Sequence, residues 1–221
     1  MTPLLDDDTR KQVSEVLVSM VKPVNILFFG SKTEPCEYCN DTHDLLEEVA
    51  SLSEKISLQS FDLNKDAILA KKHGVDKSPG FVILGEFGED LDDFGIRFSG
   101  IPAGHEFTSL INVILMVSKR DSGLSAETRE ALAKLNQKVL LQVFVTPSCP
   151  YCPRAVVLAH QMALESQMIE AEMIEAMEFS ALADQYKVSG VPHTIINQGS
   201  GEVIGAVPES HLLQKIMEAA A

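Results

Sequence analysis

The pattern of apolar and polar positions divides the chain into two halves with the same order of elements. In the second half, the apolar and β-branched run Val139–Val145 predicts a buried strand, and residues 155–168 carry apolar side chains at helical spacing. The elements predicted after this helix are a strand near Ile169–Glu175, a short helix around Phe179–Tyr186, a hairpin of Thr194–Asn197 with Glu202–Ile204, and a helix from Glu209.

The first half gives the same order after a leading helix. Its predicted elements are a helix at about Asp8–Val21, strand Val24–Phe29, a helix from Cys36 to about Ser53, strand Ile56–Asp62, helix Lys65–His73, strands Phe81–Leu84 and Ile96–Ser99, and helix Gly104–Ser118. The polar segment 119–125 separates the halves, and we place the boundary there, between units of residues 1–120 and 121–221. This order predicts an α/β fold in which each unit is a mixed β-sheet flanked by helices.

Cysteines and prolines repeat at one fixed offset. Two Cys-x-x-Cys motifs, at residues 36–39 and 149–152, begin 113 residues apart. Pro79 and Pro192 keep the same offset, and each stands 43 residues after the first cysteine of its half and just before an apolar run. This agreement indicates two copies of one unit that carry equivalent sites.

Each motif follows an apolar strand and opens a predicted helix, which is a position that favours a reactive thiolate. Unpaired N–H groups and the positive end of the helix dipole lower a cysteine pKa below its free value of about 8.5. A second cysteine three residues later lies close enough to attack a mixed disulfide and release the product. We therefore predict thiol–disulfide exchange by Cys36 with Cys39 and by Cys149 with Cys152.

Charge distinguishes the two motifs. The first is flanked by four acidic residues, Glu34, Glu37, Asp41 and Asp44. Like charge disfavours a thiolate, and Lys32 compensates only in part. The second motif has Arg154 nearby, and we place Pro150 in the first helical turn, where its missing N–H costs nothing. We predict that Cys149 is the more acidic and more reactive nucleophile.

Composition and charge limit the partners and the compartment. The 221 residues suit two domains, and 45% apolar with 23% charged residues is ordinary for globular proteins. The net charge of −14 argues against nucleic-acid and anionic-membrane partners, because both need a basic surface. The chain has no membrane-length apolar run of about 18 residues and no secretory-type start. Together with closely paired cysteines, these features predict a cytoplasmic protein.

The whole chain resembles the two-domain protein disulfide oxidoreductases, which are glutaredoxin-like proteins of thermophilic archaea and bacteria. The Cys-Pro-Tyr-Cys sequence at 149–152 is similar to the dithiol glutaredoxin motif, and Gly-Val-Pro at 190–192 is similar to the cis-proline turn of the thioredoxin fold. Residues 98–104 and the helix after them resemble the inter-domain region of that family. The resemblance implies two tandem thioredoxin-like units.

The resemblance also implies roles for the site residues. Cys36 and Cys149 would be the attacking thiols, and Cys39 and Cys152 the resolving thiols. The bonds Ser78–Pro79 and Val191–Pro192 would be cis and would offer backbone to an extended substrate segment. Protein disulfides would be the substrates and a flavin-dependent disulfide reductase the electron donor, while the exchange itself needs no prosthetic group.

One departure from the thioredoxins proper concerns proton transfer. Thioredoxins bury an acid in the strand before the motif, but neither residues 24–30 nor 139–145 contain Asp or Glu. This difference favours the glutaredoxin-like branch and leaves the proton acceptor of the resolving cysteines without a candidate.

Two alternatives stay open from the sequence. The chain could be a dedicated electron carrier to a peroxidase such as a peroxiredoxin, with one dominant partner. It could also be a redox-inert zinc-binding or chaperone module, although zinc ribbons place their two knuckles about 15–20 residues apart, and Cys39 and Cys149 are 110 residues apart. The sequence does not separate reductase, oxidase and isomerase, because about 30 mV, or roughly 1.4 kcal/mol, distinguishes them.

Overall fold

The structure is a computed structural model and describes residues 4–32, 35–87 and 90–220. The first half contains α1 (Asp7–Leu17), β1 (Val24–Gly30), α2 (Cys39–Ser51), β2 (Ile56–Asp62), α3 (Ala67–Lys72), β3 (Gly80–Phe87), β4 (Asp90–Ser99) and α4 (Glu106–Lys119). The second half contains α5 (Ala126–Leu132), β5 (Val139–Val145), α6 (Cys152–Glu165), β6 (Ile169–Glu175), α7 (Ser180–Gln185), β7 (His193–Ile196), β8 (Gly201–Ile204) and α8 (Glu209–Ala219). A turn of 3₁₀ helix, Asn197–Gly199, joins β7 to β8.

The two halves form one continuous sheet in the order β2-β1-β3-β4-β6-β5-β7-β8. Within each half, the first two strands are parallel and the next two pair antiparallel. The halves join where β4 pairs in parallel with β6, from Ile96 opposite Ala171 to Ser99 opposite Ile174. The predicted α/β class and the two tandem thioredoxin-like units are confirmed, and the sheet that they share is a feature that the sequence did not reveal.

Helices cover both faces of this sheet, which explains why β1 and β5 read as nearly continuous apolar runs. Alternate residues of β1 point to opposite faces: Ile26 and Phe28 belong to the large core, while Leu27 and Phe29 belong to a smaller cluster with α3. The large core also takes buried residues from α1, α2, α4, α5, α6 and α8. Helix α7 covers the second face in the other half, through a cluster that includes Phe144.

Strand direction places both cysteine motifs at one edge of the sheet. Strands β1, β4, β6 and β5 all run in the same direction, so their carboxyl ends meet at that edge. The two motifs follow β1 and β5, which are four strand positions apart. At about 4.8 Å per strand this separation is roughly 19 Å. Four cysteines at that separation cannot bind one zinc ion, whose sulfur ligands lie about 2.3 Å from the metal.

Both motif helices begin later than the sequence analysis placed them. Helix α2 begins at Cys39 and α6 at Cys152, so the first cysteine of each motif lies in the turn before its helix. Placing Pro150 in the first helical turn was wrong, because it belongs to that preceding turn. Pro153 occupies the first helical turn instead, where a missing N–H is tolerated.

Other differences concern elements without a strong apolar pattern. Helix α5 was not predicted, because it has only seven residues; Ser125 caps it by accepting a hydrogen bond from the Thr128 N–H. Strands β3 and β4 extend beyond the predicted apolar cores, since backbone pairing continues through polar residues such as Asp92 and Asp93. The proposed boundary between residues 120 and 121 falls between α4 and α5, while α4 packs against α6 across it. No helix in the described ranges has the length and apolar character needed to cross a bilayer.

Candidate active sites

The cysteines form two disulfide bonds, one within each motif. Cys36 is joined to Cys39 and Cys149 to Cys152. Cys36 is half-buried, whereas the other three cysteines are buried. The structure thus holds the oxidised form of both motifs, which is the state that dithiol–disulfide exchange produces in the enzyme.

At the second site, the motif and the proline loop are in contact. The Cys149 Sγ atom lies 3.1 Å from the backbone N of Cys152 and 3.7 Å from the carbonyl oxygen of Val191. The Val191–Pro192 bond is cis. The Cys152 N–H donates toward the Cys149 sulfur, so it is placed to stabilise negative charge there when the disulfide is reduced.

At the first site, an open cleft of about 760 Å³ extends along the edge of the sheet. Cys36 and Tyr38 line one side, and the cis pair Ser78–Pro79 lies beside them. The carbonyl oxygen of Pro79 accepts a hydrogen bond of 2.9 Å from the Gly100 N–H, which ties the proline loop to the turn after β4. The wall opposite the cysteine comes from residues 175–179 of the second half.

This cleft is more acidic than the sequence indicated. Glu37 and Asp41 line it as predicted, whereas Asp44 lies beside His43 and Glu34 is outside the described residues. Two further carboxylates, Glu175 and Glu178, enter from the second half. The charge of Glu37 and partial burial, followed by the charges of Glu178 and Glu175, raise the pKa of Tyr38. The negative surroundings of the first motif are therefore built by both halves.

Glu178 and Glu175 are fixed in place. The Glu178 Oε1 atom accepts a hydrogen bond of 2.6 Å from the Ile101 N–H, and Glu175 Oε2 accepts one of 2.6 Å from the Glu178 N–H. Burial raises the pKa of Glu178 to about 7, opposed by the Ile101 N–H and reinforced by the charges of Glu175 and Glu37. Burial also raises the pKa of Glu175.

Glycine at position 100 makes room for these carboxylates. Gly100 has φ of 97°, and a Cβ atom there would lie 2.5 Å from the Glu175 Cβ and 2.8 Å from the Glu178 Oε1. Contacts this short force neighbouring atoms to move. The residue is thus required both by its backbone conformation and by the close approach of the second half.

A buried carboxyl near the second site was missed by the sequence analysis. Glu106 is the first residue of α4 and only 1% exposed; its Oε2 accepts a hydrogen bond of 2.6 Å from the Ser109 hydroxyl, while Oε1 has no hydrogen-bond partner in the described structure. Burial raises the pKa of Glu106 to about 7, opposed by the Ser109 hydroxyl. The neighbouring His105 N–H donates to the carbonyl of Pro147, just before the second motif. An acidic residue at a helix start is ordinary, so no sequence signal marked Glu106 as unusual.

Comparison with known proteins identifies the family. Residues 139–218 match the family profile described as a thioredoxin domain. The crystal structure of a protein disulfide oxidoreductase from Aeropyrum pernix K1 is 34% identical, has a TM-score of 0.89, and is matched over 98% of this chain and 95% of that one. The chain belongs to the protein disulfide oxidoreductase family. It is a thiol–disulfide oxidoreductase of the thioredoxin fold, as the sequence motifs predicted.

Peroxide-reducing systems contain further relatives of this oxidoreductase. The alkyl hydroperoxide reductase component AhpF from Pseudomonas putida is 30% identical over 205 residues, which cover 91% of this chain and 35% of the relative. A solved domain of alkylhydroperoxide reductase AhpF from Enterococcus faecalis is 27% identical, with a TM-score of 0.87 over 96% of this chain and 99% of that one. The chain spans about a third of the length of the curated relatives that it matches.

Proposed function

We propose that this oxidoreductase carries electrons from a flavin-dependent disulfide reductase to protein disulfides, with a peroxiredoxin-type peroxidase as a main recipient. The observation that carries the proposal is the placement of two internal disulfides, each next to a cis-proline loop, at one edge of a shared sheet. The likeness to the alkyl hydroperoxide reductase component AhpF over 91% of the chain supports a peroxidase as recipient.

At the second site, Cys149 acts as the nucleophile in this proposal. Its thiolate attacks one sulfur of the substrate disulfide, forms a mixed disulfide and releases the first substrate thiolate. Cys152 then loses its proton and attacks the Cys149 sulfur, which closes the enzyme disulfide and releases the second thiolate. Two electrons pass from the enzyme to the substrate. The Cys152 N–H, 3.1 Å from the Cys149 sulfur, favours the thiolate that starts the sequence.

The resolving step needs a proton acceptor, and Glu106 is the candidate. Cys152 is fully buried, so its thiol has no direct contact with solvent water. Helix α4, which begins with Glu106, packs against α6, which begins with Cys152. With a pKa of about 7 and one oxygen that lacks a partner among the described residues, Glu106 can accept a proton near neutral pH and return it later.

The first site uses Cys36 and Cys39 in the same way. Because roughly 19 Å of sheet separates the two motifs, one disulfide cannot reach the other directly. We therefore propose that each site exchanges electrons with protein partners on its own and that no prosthetic group takes part.

A reconstituted electron-transfer chain tests this proposal. NADPH, a bacterial thioredoxin reductase, the oxidoreductase, a two-cysteine peroxiredoxin and hydrogen peroxide are combined, and NADPH oxidation is followed with and without the oxidoreductase. We expect peroxide-dependent oxidation well above the control without carrier, and its loss when all four cysteines are replaced by serine. Oxidation no faster than the control, in a protein that still reduces insulin with dithiothreitol, would contradict the carrier role and leave the exchange chemistry intact.

A further inference from the structure

The cleft at the first site carries a one-sided charge. Among its described lining residues, four are acidic and none is Lys, Arg or His; the acidic residues are Glu37, Asp41, Glu175 and Glu178. The same lining brings together Cys36 and the Ser78–Pro79 loop, which present the disulfide and a backbone edge. A partner that reaches Cys36 must therefore pass between carboxylates from both halves of the chain.

One of these carboxylates is buried without a full set of partners. Glu175 is only 3% exposed, and its Oε1 atom has no hydrogen-bond partner within the described residues, although it lines the cleft. A buried carboxylate oxygen that lacks a donor carries a desolvation cost of about 1–3 kcal/mol or more. A donor or cation brought by a bound partner would remove that cost.

The negative charge of Glu178 faces the cleft. This carboxylate accepts a backbone N–H, from Ile101, and its raised pKa reflects burial next to Glu175 and Glu37. By contrast, the second motif has Arg154 in the first turn of α6. The two sites thus present opposite local charge to an approaching disulfide.

We infer that the first site selects disulfides in polypeptide segments that carry lysine or arginine next to the cysteine. The inference rests on the proposed exchange at Cys36 and Cys39, and it names the substrate class of that site. The Cys36 thiolate attacks a sulfur of the cationic peptide disulfide and releases one peptide thiolate; Cys39 then loses its proton, closes the Cys36–Cys39 disulfide and releases the second. The ammonium or guanidinium group pairs with Glu178 and Glu175 while the segment lies along Ser78–Pro79.

A set of matched peptides tests the selectivity. Three disulfide peptides differ only in the residues that flank the cysteines, which are lysine, glutamine or glutamate. The C149S/C152S double variant, reduced beforehand and freed of reductant, meets each peptide in single turnovers that are quenched by alkylation and read by mass spectrometry. We expect the lysine peptide to be reduced about tenfold faster than the glutamate peptide at low salt, and the ratio to shrink at about 0.5 M salt.

Matched variants assign the effect to the cleft. Glu178→Gln keeps an oxygen for the Ile101 N–H but removes the charge, so we expect it to lower the lysine-to-glutamate ratio severalfold. Glu130→Gln, on the exposed surface of α5, removes the same charge elsewhere and should leave the ratio unchanged. The C36S/C39S double variant, which retains only the second site, should not prefer the lysine peptide.

The outcomes separate the inference from the proposed function. Equal rates for the three peptides in the C149S/C152S variant would overturn the selectivity while the exchange at Cys36 stood. No reduction of any peptide by that variant would overturn both the exchange at this site and its selectivity. An unchanged ratio in Glu178→Gln would also overturn the assignment to this carboxylate.

Discussion

Glu178 in the second half accepts a 2.6 Å hydrogen bond from the backbone N–H of Ile101 in the first half. This bond carries a carboxylate of one unit into the redox cleft of the other. It forms beside the parallel pairing of β4 with β6, which joins the units into one sheet. The first site is therefore a property of the whole chain, and its chemistry depends on how closely the halves approach.

Replacing Gly100 by alanine tests that approach. A Cβ atom at this position would lie 2.5 Å from the Glu175 Cβ, and the φ of 97° is itself unfavourable for alanine. Gly205 is a matched control, because it has φ of 84° but no atom within 4 Å of the added Cβ. In urea unfolding we expect Gly205→Ala to cost about 1 kcal/mol, the backbone penalty alone, and Gly100→Ala about 2 kcal/mol more. Equal losses would show that the halves yield at no cost.

The buried carboxyl of Glu106 predicts a pH dependence of stability. Its folded pKa of about 7 exceeds the ordinary value of 4.5, so the protonated form is favoured by folding. This contribution is fully present below pH 4.5 and is lost as the pH rises through 7. The shift corresponds to a change on the order of 3 kcal/mol. The unfolding free energy of the natural protein should thus fall more steeply between about pH 5 and 8 than that of Glu106→Gln.

Denaturant unfolding of both oxidised proteins across this pH range gives the comparison. The glutamine variant is the control for every other titrating group, including Glu178, because these are the same in both proteins. Parallel curves would mean that Glu106 titrates in the folded protein as it does in the unfolded chain.

Thiol ionisation should differ between the sites. Cys149 has the Cys152 N–H at 3.1 Å and Arg154 in the first turn of α6, whereas acidic residues surround Cys36. We expect Cys149 to be alkylated by iodoacetamide at lower pH than Cys36 when each motif is studied alone, with the other pair changed to serine. In the C149S/C152S background, Glu178→Gln should shift the alkylation of Cys36 to lower pH. If Cys36 ionises first, the predicted order of reactivity is wrong.

The sequence predicted the elements whose apolar pattern is strong. Strands β2, β5 and β6 have the bounds that the sequence predicted, because each packs a buried run into the sheet. Helix α5 was missed because its seven residues are too few for a clear period. The beginnings of α2 and α6 were misplaced because a turn before a helix has no apolar signature.

The composite first site was beyond the sequence for a different reason. The spacing of Cys36 and Pro79 indicated a redox site, and Glu37 and Asp41 were visible beside the motif. Glu178 lies far along the chain, in the second half, and only the pairing of β4 with β6 brings it to the cleft. No local pattern predicts which strand edges of two units will meet.

The central claim is that each cysteine pair performs dithiol–disulfide exchange on its own. It is tested most directly by dithiothreitol-driven insulin reduction with three variants: C36S/C39S, C149S/C152S and the quadruple serine variant. We expect activity in both double variants, greater in the one that keeps Cys149 and Cys152, and none above dithiothreitol alone in the quadruple variant. Silence in both double variants, or full activity without any cysteine, would contradict the claim.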